Sequence, residues 1–123
     1  MSGAERRSRL RLPALMLVTD TRLRPHLDST GEAWLDDVVR DAVLGGVSIV
    51  QLREKHLSQG SLIALGLHVR DAIAGRAMLF VNGNVEAAIA LGADGVHPPE
   101  AASSVRAVRD RGGERMLFSR AVH

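Results

Sequence analysis

The 123-residue sequence predicts an α/β domain assembled from parallel βα units. Two observations carry this. Short apolar runs rich in β-branched residues alternate with segments whose apolar positions recur at helical spacing. The strand-like runs also lack a clean two-sided pattern, as strands do when helices cover the sheet.

Leu15-Met16-Leu17-Val18-Thr19, closed by Asp20, reads as the first buried strand. A loop of turn-forming residues follows through Pro25 to Gly31. From Glu32 the period changes: Leu35, Val38, Val39, Ala42 and Val43 share a helical face, with Asp36, Asp37, Arg40 and Asp41 largely opposite. Thr30 is the candidate cap and Gly45-Gly46 the stop. Val47 to Arg53 forms the second strand. A second helix fits Gly60 to Ala74, starting near Ser58 or Ser61 and ending at Gly75. Ala77 to Val81 is the third strand, followed by Asn82-Gly83-Asn84. A third helix, Val85 to Leu91, stops at Gly92. The short fourth strand, Gly95-Val96-His97, runs into Pro98-Pro99. A fourth helix fits Ala101 to Arg111, and Met116-Leu117-Phe118 opens a fifth strand.

Two architectures accommodate this order: an open doubly wound sheet and a (β/α)8 TIM barrel. No G-x-G-x-x-G follows the first strand, which argues against a dinucleotide-binding sheet. A complete barrel takes about 250 residues. The chain would therefore supply strands 1–5 and helices 1–4 of a partial barrel, over residues 13–123. Its end at His123, within or just after the fifth strand, would be an odd natural terminus, and a fragment, an interrupted gene or a trimmed chain would each fit it. Residues 1–12 are a basic N-terminal extension, with Arg6, Arg7, Arg9 and Arg11 against the single acid Glu5. They are expected to be solvated rather than to bind nucleic acid or membrane.

Composition narrows the function. Hydrophobic residues make up 46% and charged residues 24%, the balance of a folded domain rather than a disordered chain. Aromatic residues are only 2%, which disfavours recognition of nucleic acid by base stacking. No apolar run approaches the ~20 residues that span a bilayer, and the arginine-rich start lacks the apolar stretch of a secretory signal. Cysteine is absent. A cytoplasmic location is expected.

In parallel βα folds, ligands sit at the carboxyl ends of the strands. There the sequence offers Thr19 and Asp20, then Gln51, Arg53 and Lys55, then Asn82, with Asp94 and His97 flanking the fourth strand. Gln51, Arg53 and Lys55 alternate with Leu52 and Glu54, and Lys55 is the only lysine in the chain. Alternation places the three on one face. A guanidinium fork, an ammonium and an amide converging there suit a phosphate or diphosphate. The competing possibility is a salt-bridged strand end, with Glu54 and Asp20 as partners. His97 and His123 stand at strand ends, where an acid or base could reach a ligand. For His26, His56 and His68 the sequence makes no partner obvious, and it suggests no metal cluster among the five histidines.

Together, L-V-T-D (17–20), G-G-V-S-I-V-Q-L-R-E-K (45–55), V-N-G-N (81–84), L-G-A-D-G-V-H (91–97) and A-V-H (121–123) resemble the thiamine phosphate synthase family, which includes the TenI-like thiazole tautomerases. The resemblance covers nearly all of the chain after Pro13 and implies a (β/α)8 barrel. It also implies a site for a phosphorylated thiazole and, in the synthase branch, for an aminopyrimidine diphosphate. The synthase joins the two with loss of diphosphate and uses Mg2+. The tautomerase shifts a proton on a dihydrothiazole phosphate without a metal. On this resemblance Gln51, Arg53 and Lys55 would hold the diphosphate, Asn82 would line the pyrimidine site, His97 would contact substrate, and His123 would be the acid–base residue.

Four positions depart from the synthase pattern. Gly83 stands where that pattern has an aspartate, and Ala102 where it has a second carboxylate; both would be magnesium ligands. Ser119 replaces a glycine, and Ala121 a serine, of the fifth-strand segment. The loss of both carboxylates favours the metal-independent tautomerase branch, with no cofactor. The synthase reaction with Mg2+, and a non-catalytic phosphate-binding half-barrel, are the alternatives. A half-barrel leaves two open strand edges, so pairing as a homodimer or with a complementing half is expected.

Overall fold

A computed structural model describes residues 2–8, 14–23, 31–98, 110 and 116–119 of the chain. Five strands form one parallel sheet: β1 Met16–Val18, β2 Ile49–Leu52, β3 Met78–Asn82, β4 Gly95–His97 and β5 Leu117–Phe118. Their spatial order is their sequence order, β1-β2-β3-β4-β5. A doubly wound sheet reverses direction at a switch point. Here every crossover steps the same way, which is the winding of a (β/α)8 barrel.

The helices between the strands are α2 Gly31–Leu44, α3 Gln59–Ile73 and α4 Val85–Leu91, and they pack side by side. The sequence fixes their ends through side chains. Ser58 Oγ accepts from Ser61 N at 3.3 Å to open α3, and Asn84 Oδ1 accepts from Ala87 N at 2.9 Å to open α4. The predicted stripe on α2 turns inward as expected, with Leu35, Val39 and Val43 buried. Of the predicted fourth helix, Ala101 to Arg111, only Asp110 is among the described residues, and it is helical.

Alternation along the strands divides the core in two. Leu17, Val50, Leu52, Leu79, Val81, Val96 and Phe118 pack with the helices, including Val39, Leu65, Val69 and Leu91. Ile49, Met78, Phe80 and Leu117 form a separate cluster on the other face, the side that becomes a barrel interior. Burial on both faces explains why β2 is buried at every position and why its sequence shows no polar alternation. Gly95 is part of the inner layer because Phe80 fills the space a side chain would need: a Cβ there would stand 2.5 Å from the ring.

β1 is the exception. It is an edge strand, and Leu15, Met16 and Val18 are 57%, 41% and 48% exposed. The inner face is open on this side.

The N-terminal segment departs from a solvated extension. Gly3–Ser8 forms a short helix, α1, which lies against β5 and has Gly3 buried. Arg6 Nε donates to Asp94 Oδ1 at 2.9 Å. The other Asp94 oxygen accepts from Leu79 N at 3.0 Å, and Leu117 N donates to the Asp94 carbonyl at 2.9 Å. Asp94 precedes β4, so it ties three strands together at their amino ends, opposite the mouth. Among the described residues no helix is long and apolar enough to cross a membrane.

Candidate functional site

The inner-facing positions turn from apolar to polar toward the carboxyl ends of the strands. Ile49, Met78, Phe80 and Leu117 give way to Gln51, Asn82, His97 and Ser119. These four make two hydrogen-bonded pairs. Asn82 Nδ2 donates to Gln51 Oε1 at 3.0 Å, and His97 Nδ1 lies 2.7 Å from Ser119 Oγ. The amide of Gln51, itself buried, has Met16 Sδ at 3.4 Å on its other side.

Arg53 and Lys55 lie beyond the strand. β2 ends at Leu52, because the next main-chain donor, Arg53 N, bonds to the Thr19 hydroxyl at 3.1 Å instead of to a neighbouring strand. Lys55 occupies the following turn and is exposed, so strict alternation does not extend to it. Both residues thus follow the carboxyl end of β2 rather than forming part of it.

The salt-bridged alternative fails at both proposed partners. Glu54 turns inward and is 4% exposed; it accepts from Thr19 Oγ1 at 2.6 Å, Thr21 N at 2.8 Å and Thr21 Oγ1 at 2.5 Å. Asp20 binds Arg22 through both oxygens at 3.0 Å. That hydrogen-bonded pairing holds the Asp20 carboxyl below the ordinary aspartate range and the Arg22 guanidinium above its own. Among the described residues, no ion pair neutralises Arg53 or Lys55.

Glu54 was legible in sequence only as a counter-ion between two cations. Its place as the acceptor that ties the loop after β1 to the end of β2 depends on Thr19 and Thr21, which are more than thirty residues away in the chain. The alternation of V-Q-L-R-E-K gives no signal of it.

Magnesium, which the resemblance implies for the synthase branch, meets poor donors here. Gly83 adopts φ +78, carries no ligand atom, and has nothing within 4 Å of a would-be Cβ. Its amide donates to the His97 carbonyl at 2.8 Å, continuing the pairing of β3 with β4. The second implied position, Ala102, is outside the described residues, as is His123. Asp20, Glu54 and His56 do approach one another, with ligand atoms within 4.8 Å. Their carboxylate oxygens are already engaged by Arg22, Thr19 and Thr21, and an imidazole is a poor third ligand for so hard a cation. Among the described residues, the donors present do not fit Mg2+.

The family model described as thiamine monophosphate synthase matches residues 15–123. A thiamine-phosphate synthase of Gloeobacter violaceus is 33% identical over 123 residues, covering 99% of this chain and 33% of that protein. One from a Psychrobacter species is 36% identical over 97 residues, covering 79% and 43%; one from Albidiferax ferrireducens is 41% identical over 90 residues, covering 72% and 38%. Among solved structures, a thiamine phosphate pyrophosphorylase from Pyrococcus furiosus superposes with a TM-score of 0.73 at 24% identity, over 89% of this chain and half of its own. The chain thus spans between a third and a half of the curated relatives it matches.

Proposed function

The chain belongs to the thiamine monophosphate synthase family, and on that premise we propose that its strand-end donors form the diphosphate-binding half of a site for thiamine-phosphate synthesis. One observation carries the reading: β2 has Gln51, which accepts from Asn82, at its carboxyl end and continues into Arg53 and Lys55, neither of which has an acidic partner among the described residues. The relatives' shared name favours this condensation over the tautomerase expected from the sequence.

In this reading the bound substrates are an aminopyrimidine diphosphate and a phosphorylated thiazole. The Arg53 guanidinium and Lys55 ammonium take up charge that develops on the diphosphate as its bond to the pyrimidine breaks. The carboxamides of Gln51 and Asn82 and the His97 ring present directional hydrogen bonds along the inner wall. The open β1 edge is where the rest of a barrel would pair. A second copy could supply it, and a strictly monomeric species by light scattering would count against such pairing.

The proton-transfer reading retains one specific support, the carboxylates missing at Gly83 and Ala102. It would use His123 as acid and base and need no metal. Release of diphosphate from the two substrates separates the reactions, since tautomerisation releases none.

Titration of inorganic pyrophosphate into the 123-residue chain tests the anion site itself. Saturable binding is expected. Arg53→Ala and Lys55→Ala should each weaken it about tenfold, the loss of one charge-assisted hydrogen bond. Equal affinity in the wild type and both variants would overturn the assignment.

A further inference from the structure

His97 and Ser119 face each other across β4 and β5, 2.7 Å from Nδ1 to Oγ. The main chain fixes both ends of this contact. Ser119 N donates to the Val96 carbonyl at 3.1 Å, and the His97 carbonyl accepts from Gly83 N at 2.8 Å. Both side chains are half-buried, and the separation is short for a nitrogen–oxygen pair.

One proton occupies that contact, and the partners decide whose it is. Among the described residues, Ser119 Oγ has no acceptor except His97 Nδ1, and His97 Nε2 has no partner. If Nδ1–H donated to the serine oxygen, the hydroxyl proton would be left without a protein acceptor. A hydroxyl that donates to Nδ1 satisfies both groups and leaves the ring proton on Nε2.

We propose that Ser119 is a positioning residue that holds His97 in the Nε2–H tautomer, so that the ring presents an N–H donor to an anionic ligand at the mouth. The ligand class rests on the function proposed above; the tautomer does not. Serine at this position, where the family pattern has glycine, gives the chain a device that a glycine cannot supply.

Long-range 1H–15N correlation of the histidine-labelled chain at about pH 8, where an ordinary imidazole is neutral, reads the tautomer directly, with His97→Gln assigning the signals. An acceptor-type Nδ1 and a protonated-type Nε2 are expected in the wild type and in Ser119→Thr, with the two nitrogens averaging toward each other in Ser119→Ala. A protonated Nδ1 in the wild type, or an unchanged His97 pattern in Ser119→Ala, overturns the proposal. Pyrophosphate affinity in Ser119→Ala should fall about fivefold, as expected for one neutral hydrogen bond. A changed tautomer with unchanged affinity would uphold the positioning and overturn the anion reading of the mouth.

Discussion

Asn82 Nδ2 donates to Gln51 Oε1 at 3.0 Å, diagonally across β2 and β3, where Gln51 is paired in register with Phe80. The bond turns two strand-end amides into one unit. It fixes which face of the Gln51 carboxamide is spent on structure and, among the described residues, leaves its NH2 against only a thioether, a weak acceptor that a ligand can displace.

Two substitutions at Gln51 separate its structural and binding contributions. Gln51→Met keeps the volume but deprives Asn82 of its acceptor, and should lower stability by about 1 kcal/mol. Gln51→Glu keeps an acceptor for Asn82 while placing negative charge beside Arg53. It should fold, yet weaken pyrophosphate binding at least about tenfold. Urea midpoints and titration calorimetry measure the two effects. Pyrophosphate affinity in Gln51→Glu equal to that of the wild type would place the anion away from this rim.

The inner layer makes a sharper demand at Gly95. A Cβ there would lie 2.5–2.8 Å from three Phe80 ring atoms, and Phe80 is held by Ile49, Met78 and Leu117. Gly95→Ala should therefore cost about 1–3 kcal/mol by overpacking. Adding Phe80→Leu should recover part of that loss, so that the two changes are far from additive. Additive losses in a double-mutant cycle would show that the layer relaxes elsewhere.

The strand–helix alternation and the glycine stops were readable because apolar spacing and local caps carry them: Ser58, Asn84 and the Gly92 stop act within a few residues. The polar ends of the strands were readable for the same reason. What escaped the sequence is set by distant partners. Glu54 looked like a surface counter-ion until Thr19 and Thr21 buried it. Asp94 looked like a mouth residue, although it binds Arg6 at the opposite end of the sheet, eighty-eight positions along the chain. Arg6 itself read as part of a solvated tail, since nothing local predicts its ion pair.

The Asp20–Arg22 pair predicts a pH signature. Its hydrogen bonds hold the folded carboxyl below the ordinary aspartate range. The pair therefore contributes above the unfolded-state value and loses that contribution as pH falls through the lower folded value. Wild type should be slightly more stable than Asp20→Asn at pH 7, and the gap should shrink at a pH below the unfolded-state value. Because Arg22 is exposed, about 1 M salt should also shrink it. Denaturant midpoints at the two pH values decide the matter; a gap that persists unchanged in acid would mean that Asp20 acts through packing instead.

Gly83 predicts how the anion site responds to metal. With no carboxylate at this position and the oxygens of Asp20 and Glu54 already engaged, pyrophosphate binding by the chain should rest on Arg53 and Lys55. EDTA should leave the affinity unchanged, and added Mg2+ should strengthen it only as far as the ion binds pyrophosphate in solution. Gly83→Asp would place a carboxylate at the mouth. There is room for it, since nothing lies within 4 Å of the Cβ position. Aspartate also tolerates the left-handed backbone at φ +78 better than most side chains. That variant should bind pyrophosphate more weakly than wild type without metal, because like charges repel, and should regain affinity when Mg2+ bridges the carboxylate and the diphosphate. Metal-dependent binding in the wild type, abolished by EDTA, would sink this account and point to ligands elsewhere in the chain. An unaltered metal response in Gly83→Asp would show that the turn after β3 does not face the anion.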